Sequence, residues 1–159
     1  MKKSIILEGP NGSGKSTLGD MLSKILSLEY IHAGPDPGPD LAAFRACYDQ
    51  YQHLVKGCIL DRCTPISKFV YDRYDIGSDE VIFLAHWMQM MDEQAYLIYC
   101  TGEGSFEEKS YYPPGHMETI TEDRLEIREH YDGIMSVTPH ITYNFETDSI
   151  DDLLEAMRK

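Results

Sequence analysis

The stretch Leu7–Leu18 limits the folds open to this chain more than any other part of it. It reads Leu-Glu-Gly-Pro-Asn-Gly-Ser-Gly-Lys-Ser-Thr-Leu, with three glycines, one lysine and two adjacent hydroxyls. The run Lys3-Ser-Ile-Ile-Leu7 precedes it and reads as a short buried strand. Behind it, Leu18, Met21, Leu22, Ile25 and Leu26 recur at i, i+3, i+4, i+7 and i+8, which marks one face of a helix. Between strand and helix, Gly9-Pro10-Asn11-Gly12-Ser13-Gly14-Lys15-Ser16 fits Gly-x-x-x-x-Gly-Lys-[Ser/Thr] in the context that pattern requires. Glycines let backbone amides wrap around phosphate oxygens, and the helix N-terminus adds a favourable dipole. Gly9, Asn11, Gly12, Ser13, Gly14, Lys15, Ser16 and Thr17 are therefore the expected loop for a nucleoside triphosphate, ATP with Mg²⁺. Lys15 is placed to reach the β- and γ-phosphates, Ser16 to offer Mg²⁺ a hydroxyl, and Thr17 to bond a nearer phosphate.

The rest of the chain alternates in the same manner. Leu28–His32 reads as a second strand, and Gly34–Pro39 as a rigid loop. Leu41, Phe44, Tyr48, Tyr51 and Val55 lie at helical spacing, and Gly57 ends that helix. Cys58-Ile59-Leu60 forms a third strand that runs into Asp61-Arg62, with a helix over 65–74. Ser78 caps a further helix, with Val81, Leu84, Ala85 and Met88 inward. Ala95–Cys100 is a fourth strand, and 102–117 a glycine- and proline-bearing lid-like loop. Thr119-x-x-Glu122 resembles a capping box for a helix carrying Ile127, Tyr131, Ile134 and Met135. His140–Tyr143 is a fifth strand, and Ile150, Leu153, Leu154 and Met157 give a closing helix. This order predicts a single α/β domain over 1–159, a three-layer sandwich around a five-stranded, mostly parallel sheet.

Charge and cysteine content narrow the partners. At 159 residues with 42% hydrophobic content, the chain can build a core. No apolar run approaches a membrane span, so no membrane partner is expected. Glu8 and Gly9 cut off the apolar run that follows Met1-Lys-Lys, which leaves no secretory hydrophobic region. The formal net charge of −13 repels DNA and RNA at long range. Cys47, Cys58, Cys63 and Cys100 form no Cys-x-x-Cys pair, and the expectation is reduced thiols in a cytoplasmic protein. A homodimer is compatible with these properties.

Several residues outside the loop carry candidate chemistry. Asp61 follows an apolar strand, at the sheet end where open α/β folds bind ligands. It either holds Mg²⁺ through water, or accepts a proton, or caps the next helix. Arg62 suits an acceptor phosphate or a structural ion pair. Asp36, in the proline-stiffened loop, either orients or deprotonates an acceptor hydroxyl or serves turn chemistry alone. Arg124 and Arg128 share a helix face. They either neutralise the transferring phosphoryl group or pair with Glu122, Glu126 or Glu129. Arg45 has the same ambiguity as an acceptor-side residue. Phe44, Tyr48, Phe69, Tyr71 and Tyr74 either stack on a base or fill the core.

The chain resembles the P-loop kinases of nucleosides and nucleotides, thymidylate kinases most closely. Ile-Leu-Glu-Gly-Pro-Asn-Gly-Ser-Gly-Lys-Ser-Thr-Leu is similar to their opening strand and phosphate loop. Leu60-Asp61-Arg62, with Ser67 and Tyr71 downstream, is similar to their Asp-Arg-Tyr…Ser…Ala-Tyr segment. The order of elements matches over nearly the whole chain. The resemblance implies transfer from ATP to a deoxynucleoside monophosphate, thymidylate-like, with Tyr71 and Arg62 on the acceptor side. The chain departs from the family pattern at Pro35-Asp36-Pro37-Gly38, which lacks the arginine of Arg-Glu-Pro-Gly, and at Cys63 in place of a tyrosine. Lys109 is the one lysine or arginine in the expected lid. A deoxynucleoside, or a 5-hydroxymethyl pyrimidine within DNA, is the alternative acceptor. A nucleotide switch without transfer is the alternative from another class, although the Asn-Lys-x-Asp guanine motif does not occur.

Overall fold

Burial on both faces of Ser4–Glu8 (β1) fixes the architecture, because every residue of this strand is inside. The computed structural model describes residues 3–33, 41–71, 93–103 and 116–159, apart from the side chains of 41–44, 68, 71 and 116–124. In chain order the elements after β1 are α1 (Lys15–Leu26), β2 (Glu29–His32), α2 (Leu41–Lys56), β3 (Cys58–Asp61) and α3 (Thr64–Tyr71). There follow β4 (Ala95–Cys100), α4 (His116–Met135), β5 (Ile141–Tyr143) and α5 (Ile150–Ala156).

The sheet runs β2-β3-β1-β4-β5, and each of its neighbouring pairs is parallel. The expected mostly parallel sheet is thus parallel throughout. Side chains alternate across it, as strand geometry demands. Ile6 and Leu60 join a core with Cys47, Leu54, Ile66, Tyr131 and Ile134, which places α2, α3 and α4 on that face. Ile5, Leu7 and Ile59 join Leu18, Leu22, Leu153 and Met157 on the other, beneath α1 and α5. Both faces are covered, so the central strands read as continuous apolar runs. In register, Leu7 of β1 and His32 of β2 both lie opposite Asp61 of β3. The carboxyl ends of three strands therefore open at one level.

One polar group sits at the opposite end. Ser4 Oγ is fully buried, donates to Leu54 O at 2.7 Å and accepts from Cys58 N at 2.9 Å. It ties β1 to the α2–β3 junction. Ser4→Ala is expected to cost about 2 kcal/mol, because it strands a buried carbonyl and a buried amide. A shifted urea midpoint at unchanged slope is the measurement that checks it.

Several expectations need correction. On α1 the buried residues are Lys15, Leu18, Gly19 and Leu22, while Met21 and Ile25 are 39% and 49% exposed. On α2 the buried stripe passes through Cys47 and Leu54, and Tyr48 and Val55 face outward. At the first of these turns the small Cys47 packs inward and the amphipathic Tyr48 stays outside. The capping box is absent in that role: α4 starts at His116, so Thr119 and Glu122 stand inside the helix. Pro113-Pro114-Gly115 is the stop in the sequence, and no breaker separates it from Thr119. The loop 34–39, the helix expected from Ser78, residues 72–74 and positions 104–115 of the expected lid lie outside the described residues. Among the described residues, no helix is long and apolar enough to cross a membrane. All four cysteines are buried, and none of them forms a disulfide.

Candidate active site

The phosphate loop leaves the central strand and turns back on itself with three glycines at positive φ: Gly9 at 145°, Gly12 at 78° and Gly14 at 87°. Gly9 has no alternative, since a Cβ there would lie 2.3 Å from the backbone oxygen of Cys100 on β4. Gly14 then opens α1, and Leu18 N donates to its carbonyl at 2.9 Å.

Lys15 points back into this loop. Its Nζ donates to Gly9 O at 2.8 Å and to Pro10 O at 2.7 Å, and the residue is 6% exposed. Burial lowers its ammonium to about 8, reinforced by the Arg62 guanidinium and opposed by Asp61 and Glu8. A cation that is costly to bury and already held by two carbonyls can exchange them for phosphate oxygens.

Asp61, at the end of β3, is fully buried. Its Oδ2 accepts from Ser16 Oγ at 3.2 Å and from Tyr30 OH at 2.5 Å, and lies 3.2 Å from His32 Nδ1. Its Oδ1 is buried and has no hydrogen-bond partner among the described residues. Of the three readings left open by the sequence, the Ser16 contact supports the metal side. A bare carboxylate oxygen next to a hydroxyl, both hard donors, fits Mg²⁺, which takes one or two protein oxygens and completes its shell with phosphate and water.

Arg62 occupies the left-handed region with φ 70°, and its backbone amide donates to Leu7 O at 2.9 Å. Its side chain donates to Asn11 Oδ1 at 2.5 Å and to Tyr131 OH at 3.0 Å. Tyr131 in turn donates to Glu8 Oε2 at 2.9 Å, and Cys63 N donates to Glu8 Oε1 at 2.6 Å. Glu8 is wholly buried, and that burial raises its carboxyl above the usual range against the pull of Arg62. A chain of contacts thus runs from the strand end through α4 and Arg62 to the phosphate loop.

The structure brings Gly9, Asn11, Gly12, Ser13, Gly14, Lys15, Ser16, Thr17, Asp61 and Arg62 to one end of the sheet. Arg45 is exposed on α2. Arg128 pairs with Glu103, just after β4. Asp36 and the side chains of Tyr71 and Arg124 lie outside the described residues. Sequence reasoning missed Glu8, Tyr30, His32 and Tyr131. Glu8 was detectable by the signal that found Asp61, a carboxylate at the end of an apolar strand. Phe145 was missed as well. Its ring lies 2.7 Å from where a Cβ on Gly14 would stand and 2.1 Å from one on Gly102, and the residue is 41% exposed.

The chain matches no protein-family model. A cytidylate kinase of Sulfurisphaera tokodaii is 63% identical over 30 residues, which span 19% of this chain and 17% of that relative's length. The solved structure of YorR from Bacillus subtilis, in complex with phosphorylated GDP, superposes with a TM-score of 0.64 at 21% identity, covering 97% of this chain and 92% of YorR. Deoxyadenosine kinase from M. mycoides with bound dATP gives a TM-score of 0.50 at 18% identity, over 99% of this chain and 100% of that one. With the parallel sheet and its opening loop, these likenesses establish the fold as that of the P-loop kinases.

Proposed function

We propose that this chain is an ATP- and Mg²⁺-dependent kinase that transfers a phosphoryl group to a deoxynucleoside monophosphate, a thymidylate-like pyrimidine being favoured. The observation that carries this reading is the conjunction at the end of β1 and β3: a phosphate loop with Lys15 inside it, Ser16 bonded to Asp61, and Arg62 beside both. The short likeness to a cytidylate kinase supports a pyrimidine monophosphate as acceptor class.

In this reading, the Lys15 ammonium leaves the Gly9 and Pro10 carbonyls for the β- and γ-phosphate oxygens and offsets charge as the phosphoryl group moves. Ser16 and Asp61 are the residues that would hold Mg²⁺, which when bound neutralises and orients phosphate oxygens. Phe145, lying over Gly14 and Gly102, offers an apolar ring to the donor base. Arg62, Asp36, Arg45 and Tyr71 are the acceptor-side candidates. Arg124 and Arg128 are candidates for charge neutralisation, Arg128 after exchange of its Glu103 partner. Four cysteines outside any disulfide suit a reducing cytoplasm.

One observation favours a second acceptor. A phosphate acceptor needs no strong base, whereas a sugar hydroxyl does. Asp61, whose Oδ1 has no hydrogen-bond partner among the described residues, is the carboxylate that would serve as base for a deoxynucleoside or a 5-hydroxymethyl pyrimidine. The net charge of −13 opposes a DNA polymer.

The test is ATP consumption with Mg²⁺ against deoxynucleosides, their monophosphates, and DNA with and without 5-hydroxymethyluracil. Turnover with a free monophosphate is expected. Turnover only with nucleosides or modified DNA moves the acceptor to a hydroxyl. Nucleotide binding without acceptor-dependent turnover replaces the kinase by a switch.

A further inference from the structure

Tyr30 reaches Asp61 because α1 carries no side chain at Gly19. A Cβ on Gly19 would stand 2.3 Å from Tyr30 Cε2, 2.8 Å from Cδ2 and 3.1 Å from Cζ. The ring of this β2 residue therefore fills the volume that any other residue at position 19 would claim. From that seat its hydroxyl comes to 2.5 Å from Asp61 Oδ2. A phenol hydroxyl carries a proton that it can donate to a carboxylate oxygen at this distance.

The distribution of partners on Asp61 is lopsided. Ser16, Tyr30 and His32 all gather at Oδ2, while Oδ1 is buried without a partner among the described residues. A carboxylate can accept on both oxygens, and a buried bare one calls for an explanation. Donors crowded on one oxygen fix the plane of the group and reserve the other.

We propose that Tyr30 is a positioning residue for the cation-side carboxylate: seated in the gap at Gly19, its hydroxyl fixes Asp61 Oδ2 and reserves Oδ1 for the divalent cation. This rests on the reading of Ser16 and Asp61 as Mg²⁺ residues. Outer partners of a metal carboxylate commonly carry a 10–100-fold share of metal affinity. Tyr30→Phe keeps the ring in its gap and deletes only the hydroxyl. It is a purer probe than a truncation, which would also open a cavity.

Mn²⁺ is the probe, titrated by electron paramagnetic resonance into the protein with ADP, without any turnover. Tyr30→Phe is expected to weaken Mn²⁺ about tenfold and raise the Mg²⁺ concentration for half-maximal activity in parallel. The acceptor KM is expected to stay near wild type, and the melting temperature of the ligand-free protein to fall by a few degrees with the bond to a buried carboxylate. Gly19→Ala displaces the ring and is expected to weaken Mn²⁺ as much. The double variant is expected to be no worse than Gly19→Ala alone, because both changes break one contact. Wild-type Mn²⁺ affinity in Tyr30→Phe, or additive losses in the double variant, overturns the positioning role alone. Absence of Mn²⁺ binding by the wild-type protein with ADP overturns the metal reading of Ser16 and Asp61, and the inference with it.

Discussion

Lys15→Met is expected to lose phosphoryl transfer by about 10³-fold or more and to make the ligand-free protein more stable. The two effects have one cause. The ammonium is 6% exposed, and burial, aided by Arg62, lowers it from 10.5 to about 8. A base whose native value lies below its unfolded value favours the folded state most when it is neutral. Its stabilising contribution is complete above 10.5 and is lost as pH falls through 8. At pH 7 the folded protein therefore carries a charge that opposes folding by roughly 3 kcal/mol. Methionine removes that opposition and fills similar space, at the cost of two hydrogen bonds to carbonyls worth about 1 kcal/mol each. A net gain of about 1 kcal/mol is expected at pH 7, shrinking and then reversing as the pH rises from 8 towards 10.5. Chemical denaturation of both proteins across that range checks it. A variant less stable than wild type at pH 7, by an amount that does not change with pH, would show that Lys15 is not held in a poised state.

How much of this was legible in the sequence depends on distance along the chain. The phosphate loop spells its own geometry, because glycine, lysine and hydroxyl are placed within a few residues of one another. The strand–helix alternation gave the layers for the same reason. Contacts between remote segments left no comparable mark. Glu8 was read as the end of an apolar run, yet β1 extends to it and buries it wholly. The partners that make that burial tolerable, Cys63 and Tyr131, come from β3's exit and from α4. Tyr131 was legible as a core residue of its helix face, and its hydroxyl, which does the polar work, was not. Tyr30 needed the register of β2 beside β3 and the gap at Gly19, neither of which is local. The faces of α1 and α2 were each misjudged because apolar spacing cannot say which of two adjacent stripes a sheet will cover. For Arg128 the sequence left open a phosphoryl role or pairing with glutamates on its own helix, and it gave no sign of Glu103, the partner it meets after β4.

Arg62 tests the remaining link, since one side chain there serves backbone strain, a buried carboxylate and the phosphate loop together. Arg62→Ala is expected to lower stability by roughly 3 kcal/mol and transfer by about 10²-fold or more. The stability loss comes mainly from Glu8, which is fully buried and whose upward shift Arg62 restrains. A carboxyl raised in the folded state contributes stability that is complete below its unfolded value of 4.5 and is lost as pH rises through its folded value. Without Arg62 that folded value climbs further. The gap between variant and wild type is therefore expected to be small below pH 4.5 and to widen towards neutrality. Glu8→Gln in the same background is expected to return much of the loss, because it removes the charge that Arg62 had balanced. The backbone gives an independent sign. At φ 70° an L-residue is strained by about 1–2 kcal/mol and glycine is not. Arg62→Gly is therefore expected to be more stable than Arg62→Ala by about 1 kcal/mol, the reverse of the order found in a helix or strand. Equal stability of the two variants would remove the strained turn. A pH-independent loss, not relieved by Glu8→Gln, would remove the electrostatic link between Arg62 and Glu8.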